Sequence, residues 1–498
     1  NQDILYLNMG RRAGDRGSFT SVTDETFSVT QLDQDPDSVT LSVTGLGFTT
    51  EYTVKPTTTI VGDAGSPNLG ANDTDKDVIV IDDTVTLDVI LSGGPDDDKI
   101  VVNADVDALI YGEERETQYR DATLAGKDIL VTSGGNDLIF GGGGNDQIRS
   151  GAGNDFLFGG DIEDTNRDGL VDSNDFTFNV DASMDSAAIL TALSNSGIML
   201  SSNSGADSIL GQSGSNIIFG GDESGHDQTV GDQIEGGVGS DVIFAGSGND
   251  TVYGDTSQDE TNGSADTIFG DADDDRIIAG AGDDQVQGGS GDDNLDGGAG
   301  LDKLFGDDGD DLISWSRQVN GTVIDAIDGG AGADTAVIDG AAETNGAGGE
   351  DVVQITNPTV GGTSVHINWT NIQLQIDPIA IESLTLNLDT GSDDVTVEDL
   401  GNSEITQLQL DLGNSGSQTF VTKDRTKTTN EVGSVVGSFG NFAGLNGAVS
   451  VSTKTPVGPS TDEVLEVSHD GTSGFFTLSL GSRDEIQSIY VDTTKVND

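Results

Sequence analysis

The fold is decided by a short motif that occurs twice within residues 141–161, GGGGNDQIRSGAGNDFLFGGD. Each copy is nine residues long and carries glycines, an aspartate and, two residues later, an apolar residue, as in Asp146 with Ile148 and Asp155 with Leu157. Glycine permits a positive φ and therefore tight turns. The alternation after the aspartate places one apolar side chain on an inner face and its neighbours outside. Each copy therefore predicts one turn followed by one short strand.

The nine-residue spacing can be followed along the chain by its aspartate. We count positions from the first residue of the glycine pair, so that the aspartate is at position 6 and the apolar residue at position 8. Position 6 is occupied by Asp128, Asp137, Asp146, Asp155, Asp207, Asp232, Asp241, Asp250, Asp266, Asp275, Asp284, Asp293, Asp302, Asp311, Asp325 and Asp334, with Asp98 and Asp107 as weaker upstream copies and Asn216 as a substitute. Position 8 is occupied by Ile139, Ile148, Leu157, Ile243, Val252, Ile277, Val286, Leu295, Leu304 and Ile313.

A strand of this length cannot bury its apolar residue alone, whereas stacked coils form a continuous apolar column. Two repeats would make one coil, so residues eighteen apart would lie above one another. Asp146 would then face Asp128, and Asp293 would face Asp275. Stacked carboxylates repel unless a hard cation lies between them, with glycine carbonyls completing an oxygen shell. The repeat therefore predicts a stack of coils held together by cations.

The nonapeptide resembles the G-G-x-G-x-D-x-U-x repeat of the RTX (repeats-in-toxin) family of secreted proteins. The best matches are GGSGDDNLD (288–296), GGAGLDKLF (297–305) and AGSGNDTVY (245–253). The resemblance implies an all-β fold with a central parallel β-roll that binds many Ca²⁺ ions. It also implies the ligands, which are the aspartate and the backbone carbonyls near positions 2 and 4. These carbonyls belong to Gly142, Gly144, Gly151, Gly153, Gly280, Gly282, Gly289, Gly291, Gly298 and Gly300.

Two substitutions weaken individual repeats, because Asp96 and Asp273 occupy the place of the glycine at position 4. The longest insertion in the repeats carries a motif of its own, DTNRDGLVDSND at residues 164–175. It has the oxygen spacing of an EF-hand calcium loop and resembles the loops of dockerin modules. The predicted ligands are Asp164, Asn166, Asp168, the carbonyl of Leu170, Asp172 and Asp175. A dockerin has two such loops and this chain has one, so the motif predicts a local structural calcium rather than cohesin binding.

The glycine density divides the chain into three predicted parts. Residues 1–70 alternate as antiparallel strands and predict an N-terminal β domain. Residues 71–340 hold the repeats, with the EF-hand-like loop and a short helix (residues 184–194) inserted at 161–203. Strands lengthen in residues 341–498, which predict either a continuing β-solenoid or a β-sandwich. Such terminal units usually act as caps of a repeat array.

Composition narrows the classes of partner. Among 498 residues, 88 Asp and Glu oppose 20 Lys and Arg, which gives a formal net charge of -68. Such a charge excludes nucleic acid and anionic membrane as partners and favours cations. There is no cysteine, so disulfides and thiolate metal sites are excluded. No apolar run approaches the roughly 20 residues of a transmembrane helix.

Catalytic motifs are not found in the sequence. Three histidines occur without an HExxH pattern, and there is no GxSxG. We therefore expect no enzyme activity and favour an extracellular, calcium-dependent structural protein that self-associates as an S-layer, sheath, filament or adhesin at the bacterial cell surface. Two alternatives stay open: the non-catalytic calcium-binding part of a secreted hydrolase, and a module that binds cell-surface glycans. The RTX resemblance implies export by a type I secretion system.

Overall fold

The computed structural model describes two compact units, Asn1–Arg276 and Ile277–Asp498. Within them the described residues are 3–7, 26–45, 47–63, 76–94, 96–113, 126–160, 205–222, 231–256, 263–316, 326–339, 352–356, 366–369, 374–376, 378–387, 394–398, 405, 407–411, 419–423, 434–438, 450–454, 463–468, 475–479 and 489–492. The predicted calcium loop (residues 164–175), the predicted helix (residues 184–194) and Asp325 lie outside these ranges. No helix in the described ranges has the length and apolarity to cross a membrane.

The first unit is built from short strands. They are β1 (Ile4–Tyr6), β2 (Thr26–Asp35), β3 (Ser38–Gly45), β4 (Phe48–Val54), β5 (Thr59–Asp63), β6 (Val78–Ile81), β7 (Val89–Ser92), β8 (Lys99–Val102), β9 (Ala108–Tyr111), β10 (Ile129–Val131), β11 (Leu138–Phe140), β12 (Gln147–Arg149), β13 (Phe156–Phe158), β14 (Ser208–Leu210), β15 (Ile217–Asp222), β16 (Gln233–Glu235), β17 (Val242–Ser247), β18 (Thr251–Tyr253) and β19 (Thr267–Ala272). The division between the units falls within β20 (Arg276–Ile278).

Successive repeat strands of the first unit alternate between two parallel sheets. Sheet A has the order β1-β5-β7-β9-β11-β13-β15-β17-β19. Sheet B pairs β2, β6, β8, β10, β12, β14, β16 and β18 in parallel and continues into β3 and β4 by antiparallel hairpins. The predicted eighteen-residue coil is confirmed where no loop is inserted, since Ile129 pairs with Gln147. The architecture is a parallel β-roll.

The apolar residues at position 8 form the interior of the roll, as the repeat predicts. All ten of those named above are at most 1% exposed, from Ile139 in the first unit to Ile313 in the second. A fully buried Val, Leu or Ile contributes about 1.5–3 kcal/mol relative to an exposed one. Each repeat thus contributes one such side chain to the contact between neighbouring coils.

A second apolar column, made by position 9 of sheet A, was not predicted. It comprises six stacked rings, which are Tyr111, Phe140, Phe158, Phe219, Phe244 and Phe269. Neighbouring ring centroids lie 4.8–5.3 Å apart, and the rings are at most 7% exposed. Each aromatic pair adds about 0.5–1.5 kcal/mol beyond its burial. The expectation that the neighbours of position 8 lie outside is therefore wrong for position 9 of this sheet.

The second unit contains the remaining strands. They are β21 (Gln285–Ser290), β22 (Asn294–Asp296), β23 (Lys303–Asp308), β24 (Leu312–Ser316), β25 (Ala326–Asp328), β26 (Thr335–Asp339), β27 (Val352–Thr356), β28 (His366–Trp369), β29 (Leu374–Ile376), β30 (Ser383–Asn387), β31 (Asp394–Glu398), β32 (Gln407–Asp411), β33 (Thr419–Lys423), β34 (Ser434–Ser438), β35 (Ser450–Lys454), β36 (Glu463–Ser468), β37 (Phe475–Ser479) and β38 (Ile489–Asp492).

Parallel stacking continues well into the second unit. One sheet pairs β21, β23 and β25, and another pairs β22, β24, β26, β30, β32 and β34, all in parallel. The latter ends in antiparallel β37 and β38. A further sheet has the order β29-β28-β27-β31-β33-β36-β35, parallel in its centre and antiparallel at both ends. The boundaries of the three domains that were inferred from glycine density stay a prediction.

Candidate metal centre

The turns between strands have the backbone that the glycine pairs predict. Glycines at positions 2 and 4 have a positive φ, for example +105° at Gly142 and +112° at Gly144. The same holds for Gly151, Gly153, Gly280, Gly282, Gly289, Gly291, Gly298 and Gly300. Asp96 and Asp273 adopt φ of +81° and +76° at position 4, a region that Asp tolerates better than most residues. The turn is thus kept even where its glycine is replaced.

The position-6 carboxylates join successive coils through the backbone. Asp146 Oδ1 accepts a hydrogen bond of 2.8 Å from the N–H of Asp128, one coil earlier. We call such a bond a rung, and we call the turns that lead into sheets A and B edge A and edge B. Edge B of the first unit forms rungs through Asp77, Asp98, Asp128, Asp146, Asp207, Asp232, Asp250 and Asp275. Edge A does so through Ala108, Asp137, Asp155, Asn216, Asp241 and Asp266.

The second unit has the same arrangement. Asp302 accepts from the N–H of Asp284 on one edge. On the other edge, rungs run through Asp293, Asp311, Asp334 and Glu382. Asp107 lies outside both series, because strand pairing places Ala108 at position 6 and Asp107 at position 5. Asp107 is exposed and accepts from the N–H of Asn136. Its assignment to position 6 is therefore wrong by one residue.

The second carboxylate oxygen is buried without a hydrogen bond in several of these turns. Within the described part of the chain this holds for Oδ2 of Asp98, Asp128, Asp241, Asp311 and Asp334. Burial raises the pKa of Asp241 to about 8 and that of Asp311 to about 6, and it raises the pKa of Asp128 well above its usual range. A buried charged oxygen without a partner is costly, so each of these atoms requires a positive ligand or a proton.

The glycine at position 1 leaves space beside this oxygen. A Cβ on Gly112 would lie 2.2 Å from both Asp128 Oδ2 and the carbonyl oxygen of Gly141 in the next coil. On Gly93 it would lie 2.6 Å from Asp98 Oδ2 and 2.5 Å from the carbonyl oxygen of Gly112. Each space is bordered by a carboxylate oxygen and a backbone carbonyl, which are the ligands of hard cations such as Ca²⁺.

Side chains alone do not make these sites. No group of three or more His, Cys, Asp or Glu side chains gathers as a metal site in the described ranges. Oxygen donors beyond the single aspartate would therefore come from the backbone or from water. Position-4 carbonyls approach the next coil closely, since a Cβ on Gly153 would lie 1.6 Å from the carbonyl oxygen of Gly135. Position-2 carbonyls, such as those of Gly151 and Gly280, accept hydrogen bonds from the N–H groups of Ser213 and Ala299.

Comparison with known families agrees with this geometry. The sequence model of the RTX calcium-binding nonapeptide repeat (4 copies) matches residues 123–160, 200–225, 230–260, 260–295 and 287–314. The matched segments are RTX repeats. Every position-6 residue from Asp128 to Asp311 falls in a matched segment, and repeats of this kind bind calcium ions. No curated protein shows significant similarity to the chain.

Three residues of the rungs were not predicted from the sequence. Asp77 and Glu382 take part in rungs at the upstream and downstream ends of the series, and Ala108 occupies position 6 without a carboxylate. Strand β8 is four residues long where β10 is three, which shifts the nine-residue count by one before Ala108. Ala108 and Asp77 could have been found only by aligning the apolar strand residues instead of the aspartates. The assignment of individual metal ligands, including Asp325 and the loop at 164–175, stays a prediction.

Proposed function

We propose that this chain is an extracellular, calcium-dependent structural protein of the cell surface, acting as a component of an S-layer, sheath, filament or adhesin. The rungs are the observation that carries the proposal. Each position-6 carboxylate binds the backbone of the neighbouring coil, as Asp207 binds the N–H of Asp146 at 2.6 Å. The acidic residues therefore serve the stacking of coils rather than converging on a reacting group.

Calcium dependence fits a protein that works outside the cell. The buried Oδ2 atoms of Asp98 and Asp128 make the stack unfavourable without a cation. A bound Ca²⁺ supplies the compensating charge, and calcium that binds only the folded state adds stability at every site. Extracellular calcium sites have dissociation constants of about 10⁻⁴–10⁻³ M, so they are filled in millimolar calcium outside the cell and leave the chain less stable in a calcium-poor cytosol. Secretion by a type I system is part of this proposal.

We also propose that the chain has no catalytic activity of its own. The described aspartates with raised pKa values, such as Asp241 and Asp311, are already explained by their place in the stack. Strong pKa shifts mark catalytic groups only when no structural role accounts for them.

Negative-stain microscopy and light scattering of the purified chain, in millimolar calcium and in excess chelator, test the structural role. Ordered sheets or filaments that form only with calcium are expected. A triple variant in which Asp128, Asp146 and Asp207 are each replaced by Asn keeps an acceptor for each rung but removes the charge. Assembly of this variant should need more calcium than assembly of the unaltered chain. Folded monomers at every concentration would instead favour one of the two alternatives, the calcium-binding part of a hydrolase or a glycan-binding module. Binding to a glycan array would distinguish the second alternative from the first.

A further inference from the structure

The residue at position 1 differs between the turns of the first unit in a way that bears on calcium. Most turns have glycine there, and the space beside it is bordered by Oδ2 of the same turn and the carbonyl oxygen of the next coil. Gly236 on edge A is an example, with Asp241 Oδ2 and the carbonyl oxygen of Gly254 placed 2.7 and 2.6 Å from where its Cβ would lie. Asp241 Oδ2 is buried and accepts no hydrogen bond from the residues that the structure describes.

One turn of edge A fills the same space with a hydroxyl group. Thr132 takes the place of glycine, and its Oγ1 lies 2.5 Å from Asp137 Oδ2 and 2.6 Å from the carbonyl oxygen of Ser150. The hydroxyl thereby occupies the space between the two oxygens that would flank a cation, and it can donate its one hydrogen to either of them. The hydroxyl stands where the Gly236 turn has only space.

The next two turns of the same edge also place a hydrogen-bond donor beside a carbonyl oxygen of the next coil. Ser150 occupies position 1 of the second turn, and its hydroxyl lies 3.0 Å from the carbonyl oxygen of Gly211 and within hydrogen-bonding reach of the Asp155 carboxylate. In the third turn Asn216 replaces the aspartate, and its Nδ2 lies 3.4 Å from the carbonyl oxygen of Gly236. A neutral amide that donates a hydrogen bond neither attracts a cation nor leaves its carbonyl partner open. The three turns precede β11, β13 and β15, which are neighbours in sheet A.

We propose that the three turns that begin at Thr132, Ser150 and Gly211 stack without calcium, their hydroxyl and amide groups taking the place of the cation. On edge B the same coils keep glycine at position 1, at Gly112, Gly141 and Gly159. The first unit would then hold calcium along edge B while this stretch of edge A forms a calcium-independent staple. The inference rests on calcium binding by the repeats and not on the structural role proposed above.

Anomalous diffraction from crystals grown in calcium tests the inference on the unaltered chain. An anomalous peak is expected beside Gly112 and Gly141, and none beside Thr132, Ser150 and Asn216. A peak at any of the latter three overturns the assignment for that turn. Because the readout is the position of ions, it is independent of whether the protein assembles.

Two substitutions count the ions in solution by native mass spectrometry. Thr132→Gly restores the glycine and Asn216→Asp restores the carboxylate, so each variant should bind one calcium more than the unaltered chain. Thr132→Ser is the matched control, since it keeps the hydroxyl and should leave the count unchanged. If neither Thr132→Gly nor Asn216→Asp gains an ion, the inference is wrong.

Hydrogen exchange in chelator provides a readout that needs no substitution. The N–H groups of Asp137 and Asp155 donate in rungs of the staple, whereas those of Asp128 and Asp146 donate in rungs of edge B. The first pair should exchange more slowly than the second once calcium is removed. Equal exchange in the two pairs would contradict a calcium-independent staple.

Discussion

The N–H of Asp334 donates a hydrogen bond of 2.8 Å to Oε2 of Glu382, 48 residues further along the chain. Every other described rung ends on an aspartate or, once, an asparagine, so this one uses a longer side chain to reach the same backbone position. We expect Glu382→Ala to lower the free energy of unfolding of the second unit by about 1.5–3 kcal/mol, the usual contribution of a hydrogen bond to a charged group. Thermal denaturation in calcium measures the change. Glu382→Gln keeps an acceptor and should lose clearly less; equal losses in both variants would contradict the role of the rung.

Removal of calcium should destabilise the roll, since the buried carboxylates then lose their counter-charge. Thermal melts followed by circular dichroism, with calcium and with EGTA, measure the decrease in melting temperature. A melting temperature that does not change on chelation would refute the calcium dependence of the fold.

Asp128→Asn separates two roles of one side chain, acceptance of the rung and supply of a negative charge. The amide oxygen can still accept the rung from the N–H of Asp98, which now spans 2.8 Å, but the negative charge is lost. We expect one calcium fewer per chain and a higher melting temperature than the parent in chelator, because no buried charge stays uncompensated. Calcium titration and thermal melts measure both effects. Asp107→Asn, at an exposed position 5, is the control and should change neither.

The calcium-free roll should become less stable as the pH rises. Burial raises the pKa of Asp241 to about 8 and that of Asp137 to about 7, from an ordinary value of 3.8. Between the ordinary and the raised pKa, the folded protein holds protons that the unfolded chain has released, so the free energy of unfolding falls with increasing pH. In EGTA we expect the melting temperature to decrease from pH 5.5 to pH 8. A melting temperature that rises over this range would contradict the raised values.

The affinity for calcium should have the opposite dependence, because calcium binds the deprotonated carboxylate. Titrations at pH 5.5, 6.5 and 7.5 should show tighter binding at each step. The excess stability that calcium confers should therefore grow with pH.

Backbone strain offers a test of the turns that is independent of the metal. Gln212 occupies position 2 with a φ of +70°, where its neighbours use glycine. Gln212→Gly should stabilise the first unit by about 1 kcal/mol, because a left-handed conformation costs a residue with a Cβ about 1–2 kcal/mol. Gly237→Ala is the converse, since its φ is +108° and the new Cβ would lie 2.2 Å from the carbonyl oxygen of Gln212. Thermal melts in calcium should move up for the first variant and down for the second.

The repeat could be read from sequence where local geometry decides the outcome. Positive φ at Gly142 and Gly144 follows from the glycine pair, and burial of Ile139 and Ile148 follows from strand alternation. The carboxylate was expected to face another carboxylate, whereas Asp146 Oδ1 binds the N–H of Asp128. Spacing places a residue in a coil but does not say which atom its side chain meets, so this contact could not be predicted.

Features that depend on the pairing of distant strands were also missed. The one-residue error at Asp107 arose because register is fixed by hydrogen bonding between β9 and β11 and not by the count along the chain. The rings of Phe158 and Phe219 stack at 4.8 Å although a long insertion separates them in sequence. Their contact follows from equal places in adjacent coils, which becomes visible only when the strands are aligned across the insertion.

Each rung joins residues that are one coil apart, however many residues separate them in the sequence. Asp128 reaches Asp146 across 18 residues at 2.8 Å, and Asp146 reaches Asp207 across 61 residues at 2.6 Å. The more than forty residues between Gly160 and Gly205 thus do not prevent the rung between the two coils that they separate in sequence. For protein engineering, this junction is a natural graft site, where a foreign epitope or a small domain could be displayed while the coils on either side keep their contacts.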